Sequence, residues 1–159
     1  MSFLNSLDIS ASALTAQRQR LDIISENVSN VDTTRTENGG PYRRKIVVFE
    51  DKAGDLSFKE TLNNAMNSNI VHKENGRLTR RDYSPGVRVS AIEEDQSAFK
   101  TEYNPEHPDA DENGYVQLPN VNMLEEMIDS MSATRSYQAN VTVLNAVKTM
   151  ASKALEIGK

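Results

Sequence analysis

Asp109, Asp111, Asn113 and Gly114 stand in the D-x-D-x-N-G spacing with which a calcium-binding EF-hand loop opens. Such a loop closes with a bidentate glutamate at its twelfth position. Here that position is Asn120, with Pro119 before it and a strand-like run in place of the exit helix. An acidic turn is the better reading. His72 and His107 each stand alone, without a second ligand at metal-binding spacing. Glu93, Glu94 and Asp95 are sequence neighbours, not carboxylates facing one another across a cleft, and they read as solvated charge. No serine occupies a G-x-S-x-G elbow. Two basic clusters, Arg43-Arg44-Lys45 and Arg77 with Arg80 and Arg81, lack a glycine-rich phosphate loop. They suit phosphate and, at least equally, pairing with acidic loops of neighbouring subunits. The residues thus form no catalytic, cofactor-binding or metal-ligating constellation, and the expectation is a protein that is not an enzyme and uses no cofactor.

The composition agrees. Apolar residues make up 37% of the 159, aromatic residues 6%, and Trp is absent. A chain of this size can bury a core, but a thin one that gains from neighbours. The net charge of −5 argues against a nucleic-acid binder, which presents a broad basic face. Residues 1–30 carry three acids and two bases, and residues 121–159 carry four of each, so the acidity lies in the middle. Near-neutral ends around an acidic middle suit ends that are buried and a middle that faces solvent. There is no cysteine and hence no disulfide framework. No apolar run approaches the length of a membrane span. The opening Met1-Ser2-Phe3-Leu4-Asn5 lacks the basic and apolar regions of a cleaved secretory signal.

The strongest patterns are helical and lie at the two ends. Over residues 3–31, Leu7, Leu14, Leu21 and Val28 recur every seven residues. Phe3, Ser10, Gln17, Ile24 and Val31 form the companion row, with a polar centre. A second helix is expected over residues 121–157. Pro119 halts the preceding chain, Asn122 is the N-cap with Glu125 three residues on, and Gly158 is the stop. Glu125, Glu126 and Asp129 suit the positive end of its dipole. This helix carries two apolar stripes. Tyr137, Val141, Leu144, Ala151 and Leu155 make one; Val143, Val147, Met150, Ala154 and Ile157 make the other. A single facing helix covers one narrow seam, so two stripes require two partners. The chain has only one other long helix, which leaves other copies or the middle region to supply the second.

The middle reads as rich in strands and loops. Gly39-Gly40-Pro41 is a turn, residues 42–50 a strand through Ile46–Phe49, and residues 56–66 a short helix. Residues 67–86, with Asn75-Gly76 and Pro85-Gly86, read as hairpin or loop, residues 87–92 as a half-buried strand, residues 93–113 as a solvated loop, and residues 114–118 as a strand. The expected fold is mainly α with a small β region: long N- and C-terminal helices in a coiled-coil-like hairpin around a β-rich, loop-rich middle. Residues 1–31 and 121–159 form the helical assembly domain and residues 32–120 the middle, with an insertion at 51–86.

Several segments resemble the flagellar rod and hook family of axial proteins. Ser25-Glu26-Asn27-Val28-Ser29-Asn30-Val31-Asp32-Thr33 is similar to the N-terminal NIANxxT pattern of that family. Gly39 to Lys45, Gly114 to Asn122, Glu126-Met127, Ala133 to Asn140 and Lys148 to Leu155 match in order, with the pattern of a proximal-rod member. Residues 51–86 look longer than is typical of the family. The resemblance implies a structural rod subunit of the basal body in the cell envelope. Such a subunit is exported by the flagellar type III apparatus without a cleaved signal and polymerises into a helical, torque-transmitting shaft around the export channel. It implies as partners copies of the chain itself and other rod proteins, with the membrane-ring and export-gate junction below and the distal rod above, and neither nucleic acid nor membrane insertion. The expected subunit interface is Leu7, Leu14, Leu21, Ile24, Asn27, Val28, Asn30 and Val31 with Tyr137, Val141, Leu144, Val147, Met150, Ala151 and Leu155. Asn27 and Asn30 are expected to hydrogen-bond backbone at the helix end. The competing readings are another rod or hook subunit, and a discrete coiled-coil adaptor or chaperone.

Overall fold

A computed structural model describes residues 3–37, 39–52, 73–74, 77–78 and 86–157. The first helix, α1 (Phe3–Ser29), runs without an interrupting glycine or proline. It ends two residues short of expectation because Asn30 closes it. The Asn30 side-chain amide donates to the Glu26 carbonyl at 2.9 Å, and its oxygen accepts from the Thr33 hydroxyl at 3.2 Å. The Asn30 backbone N–H also donates to the Glu26 carbonyl, at 3.2 Å, so this residue supplies the last turn with two donors.

Among the described residues the middle contains three antiparallel pairs. β1 (Lys45–Asp51) is the first strand. β2 (Lys73–Glu74) pairs antiparallel with β3 (Arg77–Leu78). β4 (Val87–Glu94) returns to pair with β1 from Lys45↔Glu94 to Asp51↔Val87, with a bulge between Val48 and Phe49. β5 (Lys100–Tyr103) pairs with β6 (Tyr115–Leu118). The strands expected over 42–50, 87–92 and 114–118 are present within a few residues. β5 was expected to be solvated loop. Its Lys-Thr-Glu-Tyr sequence is exposed throughout and has no apolar alternation, so β6, not its own pattern, makes it a strand. The helix expected over 56–66, together with His72, Arg80 and Arg81, lies outside the described residues.

The C-terminal helix, α2 (Met123–Ile157), has 35 residues and spans roughly 50 Å. Asn122 caps it as expected, its side-chain oxygen accepting from the Leu124 N–H at 3.1 Å. α1 packs against α2 and also against the β1–β4 ribbon; among the described elements α1 is the only one on which α2 packs.

Gly86 fastens the ribbon to α1. A β-carbon built there would lie 2.7 Å from the Ser12 hydroxyl oxygen. The next residue, Val87, donates its N–H to that oxygen at 3.1 Å. Among the described residues the core is thin. Ala16, Ile24, Tyr42, Val116, Val121 and Ala133 are its buried apolar members, and Ser10, Asn27 and Glu126 are buried with them.

α2 turns its larger apolar residues outward. Its less exposed positions include Glu126, Ser130, Ala133, Ser136, Asn140, Leu144, Val147 and Ala151, spaced three and four apart. Leu124, Met127, Ile128 and Met131 lie on the opposite side at about 100° per residue and are 54–67% exposed. Val143, Met150 and Leu155 are 47%, 67% and 75% exposed. The two stripes read from the sequence are therefore regrouped. Leu144, Val147 and Ala151 share the inward side and Val143 and Met150 face solvent, while Leu155, four residues beyond Ala151 on the inward side, is also exposed.

Candidate functional site

Where α1, β1 and α2 meet, polar groups are buried together. Asn27 lies two residues before the end of α1 and is 1% exposed. Its side-chain oxygen accepts from the Lys45 N–H at 2.9 Å and from the Tyr42 hydroxyl at 3.0 Å. Its amide nitrogen donates to the Lys45 carbonyl at 2.9 Å and to Glu126 Oε2 at 3.1 Å. A primary amide has two donors and two acceptor lone pairs. All four are used, which explains how this polar side chain tolerates burial.

Glu126 is also 1% exposed and lies in the first turn of α2, where the helix dipole favours a carboxylate. Its Oε1 accepts from Arg44 Nε at 2.6 Å. Arg44 also reaches Asp129 Oδ2 at 3.4 Å and Asp95 Oδ2 at 3.8 Å. Asp129 is shared with Arg20 of α1 at 3.0 Å. The Arg44 N–H donates to Asn120 Oδ1 at 2.8 Å, and the Asn120 amide donates to the Asp95 carbonyl and the Ser97 hydroxyl. Lys45 bridges to Glu26, and Arg43 sits 4.3 Å over the Phe99 ring while donating to the Asp95 carbonyl. The Arg43-Arg44-Lys45 cluster thus binds acids and carbonyls of its own chain. This corrects the expectation that neighbouring subunits supply the counter-charges.

The titration behaviour follows from these contacts. Burial, reinforced by the charges of Glu26, Glu126 and Glu94, pushes the Tyr42 hydroxyl up to about 12. Burial alone would lower the Arg44 pKa, but the hydrogen bond and charge of Glu126, with Asp129 and Asp95, raise it above the ordinary arginine value. The Ser97 N–H, donated to Asp95 at 2.9 Å, is the main cause of that carboxyl's lowered pKa. The central polar groups of the node are committed to one another. The arrangement is a fastening, with no base or nucleophile held ready for a substrate.

The D-x-D-x-N-G stretch is a turn that binds its own backbone. Asp111 Oδ1 accepts from the N–H groups of Asn113 and Tyr115, and Thr34 donates to Asp109 Oδ2. Of the expected interface residues, Ile24 and Asn27 are buried within the chain. Leu7, Leu14, Leu21, Val28, Asn30, Val31, Val141, Leu144, Val147 and Ala151 are half-buried, Tyr137 lies at the margin of exposure, and Met150 and Leu155 are open to solvent. Asn30 bonds helix-end backbone as expected, whereas Asn27 bonds the backbone of β1. Tyr42, Asn120, Glu126 and Asp129 belong to the node, yet no local pattern singles them out for it. The available signal is a charged residue on the packed side of a long helix.

Both ends of the chain match models of flagellar basal-body proteins. Residues 7–35 match the flagella basal body rod protein family, and residues 112–157 match the C-terminal family of flagellar basal body rod FlgEFG proteins. These ends contribute α1 with its Asn27 and α2 with its Glu126. The chain belongs to the flagellar basal-body rod proteins, a family of structural rod subunits. Within that family it is similar over its whole length to proteins named FlgC. It is 49% identical to the flagellar basal-body rod protein FlgC of Bacillus subtilis over 163 residues, covering all of both chains. Identity to the FlgC of Borreliella burgdorferi is 42%, covering 99% of this chain and 98% of that one. Identity to the FlgC of Salmonella typhimurium is 40% over 159 residues and all of both chains.

Proposed function

We propose that this chain is a subunit of the proximal flagellar rod and polymerises helically through α1 and α2. One observation carries the reading: α2 leaves large apolar residues uncovered within the chain, with Met150 67% and Leu155 75% exposed. Apolar surface of this kind on a long helix marks an interaction surface. The two helices form an antiparallel, coiled-coil-like hairpin. In support, Asn27 meets Glu126 and the earlier Arg20 meets the later Asp129, so the partners run in opposite directions. With 27 residues in α1 and 35 in α2, the end of α2 passes the start of α1 and keeps Leu155 free for a neighbour.

Residues 1–31 and 121–159 are the assembly domain, and residues 32–120 the outward middle. In the polymer, Met150 and Leu155 enter neighbouring copies beside the half-buried Leu7, Leu14, Leu21 and Val28 row. Heterologous contacts repeated with rotation and rise give an open filament. Dense helical packing makes that filament stiff enough to carry torque. The subunit leaves the cytoplasm through the flagellar export apparatus, and its neighbours are copies of itself and other rod proteins, from the membrane-ring and export-gate junction to the distal rod.

The test uses Met150→Asp and Leu155→Asp. Both side chains are exposed in the single chain, so the thermal stability of the purified protein is expected to be unchanged. Motility is expected to be lost, and the variant to be missing from isolated basal bodies. Swimming cells that carry both substitutions would overturn the reading.

A further inference from the structure

A second outward apolar patch on α2 is separate from the Met150 and Leu155 end and belongs to neither stripe read from the sequence. Leu124, Met127, Ile128 and Met131 cluster on the side opposite the buried Glu126. Arg135 continues the same side one turn on; it is exposed and has no ion pair among the described residues. Elsewhere on the chain, Tyr103 and Tyr115 form an edge-to-face pair with ring centroids 5.3 Å apart, and they remain 64% and 49% exposed. This pair is held in place. Gly114, at φ +80°, leaves a β-carbon no room, since one would lie 3.0 Å from the Tyr103 ring and 3.2 Å from Pro105. In the connection between these strands stand Glu106 and Glu112, both exposed and without ion pairs among the described residues. The β5–β6 hairpin does not pack on α2 within the chain.

We propose that the Leu124–Met131 patch of one copy packs on the Tyr103–Tyr115 pair of a second copy, with Arg135 set among the acids of that hairpin. This deepens the polymer reading and rests on it. The surfaces are complementary in two independent ways. Methionine sulfur and aromatic rings attract one another, and a fixed ring pair loses little entropy on docking. Arg135 supplies the cation that the acidic rim and the ring faces lack. The patch is small beside a stable two-chain interface, so the contact forms when other contacts already hold the copies together.

The chain has no cysteine, which permits a direct test. Two single-cysteine forms, Met127→Cys and Tyr103→Cys, are co-expressed in cells lacking the native copy, and basal bodies are isolated and oxidised. A reducible species of twice the subunit mass is expected from the mixture and from neither form alone. In basal bodies, maleimide labelling at position 127 is expected to be slower than in the purified chain by about tenfold or more, a ratio equivalent to ~1.4 kcal/mol. If the chain is present in basal bodies but neither cross-link nor protection is seen, this pairing is wrong and the polymer reading stands. If the native chain is absent from basal bodies, the polymer reading falls and the pairing with it.

Discussion

Asn27 and Glu126, ninety-nine residues apart in sequence, donate and accept a hydrogen bond of 3.1 Å where both side chains are 1% exposed. This contact joins the end of one terminal helix to the start of the other. Replacing Asn27 with Ala removes four hydrogen bonds and leaves the Lys45 N–H, the Lys45 carbonyl and one Glu126 oxygen short of a partner. The expected loss is about 2–4 kcal/mol of unfolding free energy. Urea unfolding of the purified chain measures it, and an unchanged midpoint would refute the assigned role.

Arg44→Lys keeps the charge but loses the planar fork that reaches Glu126 and Asp129 together. A cost of about 1–3 kcal/mol is expected, because a buried carboxylate is left without its best donor. Arg20→Lys touches only the partly exposed Asp129 and is expected to cost much less. Equal losses in the two variants would count against the node as the centre of the fastening.

Tyr42 predicts an alkaline limit. Its folded pKa of about 12 lies above the ordinary value of 10.0, so the folded state keeps its proton over a range where the unfolded chain gives it up. The stabilisation is fully present below pH 10 and is lost as pH rises toward 12. Denaturation midpoints at about pH 9 and about pH 11 are expected to differ, with less difference in Tyr42→Phe. The same alkaline loss in both proteins would assign the effect to another group.

Gly86→Ala places a methyl group against the Ser12 hydroxyl and displaces the acceptor used by the Val87 N–H. A destabilisation of about 1–3 kcal/mol is expected. Ser12→Ala removes the obstructing oxygen, so the two substitutions together are expected to cost less than the sum of each alone. Strict additivity in the double-mutant cycle would show that the close approach does not govern stability.

The elements were legible in sequence to different degrees, for physical reasons. α1 and α2 announced themselves through heptad rows, the absence of breakers, and Asn122 as cap, since each is a local property. β1 and β4 showed as apolar runs, but their pairing across residues 52–86 did not. β5 carries no strand pattern and exists through β6. The node was hidden because each member has a sufficient local explanation. Glu126 suits a helix dipole and Arg44 a surface cluster, and only the fold brings them to 2.6 Å. The habit of short amides at helix ends pointed to Asn27, yet placed its bonds on helix-end backbone instead of on β1. The Leu124–Met131 patch escaped because attention to seven-residue rows favoured the far end of α2.

The Lys52 N–H donates to the Gly86 carbonyl at 2.8 Å, beside the paired Asp51 and Val87. The polypeptide between these points departs and returns through one doorway. Both ends of the excursion are pinned to the same place, so a change at either anchor would shift both strands of the β1–β4 ribbon together and, through the Val87 and Ser12 bond, their seat on α1.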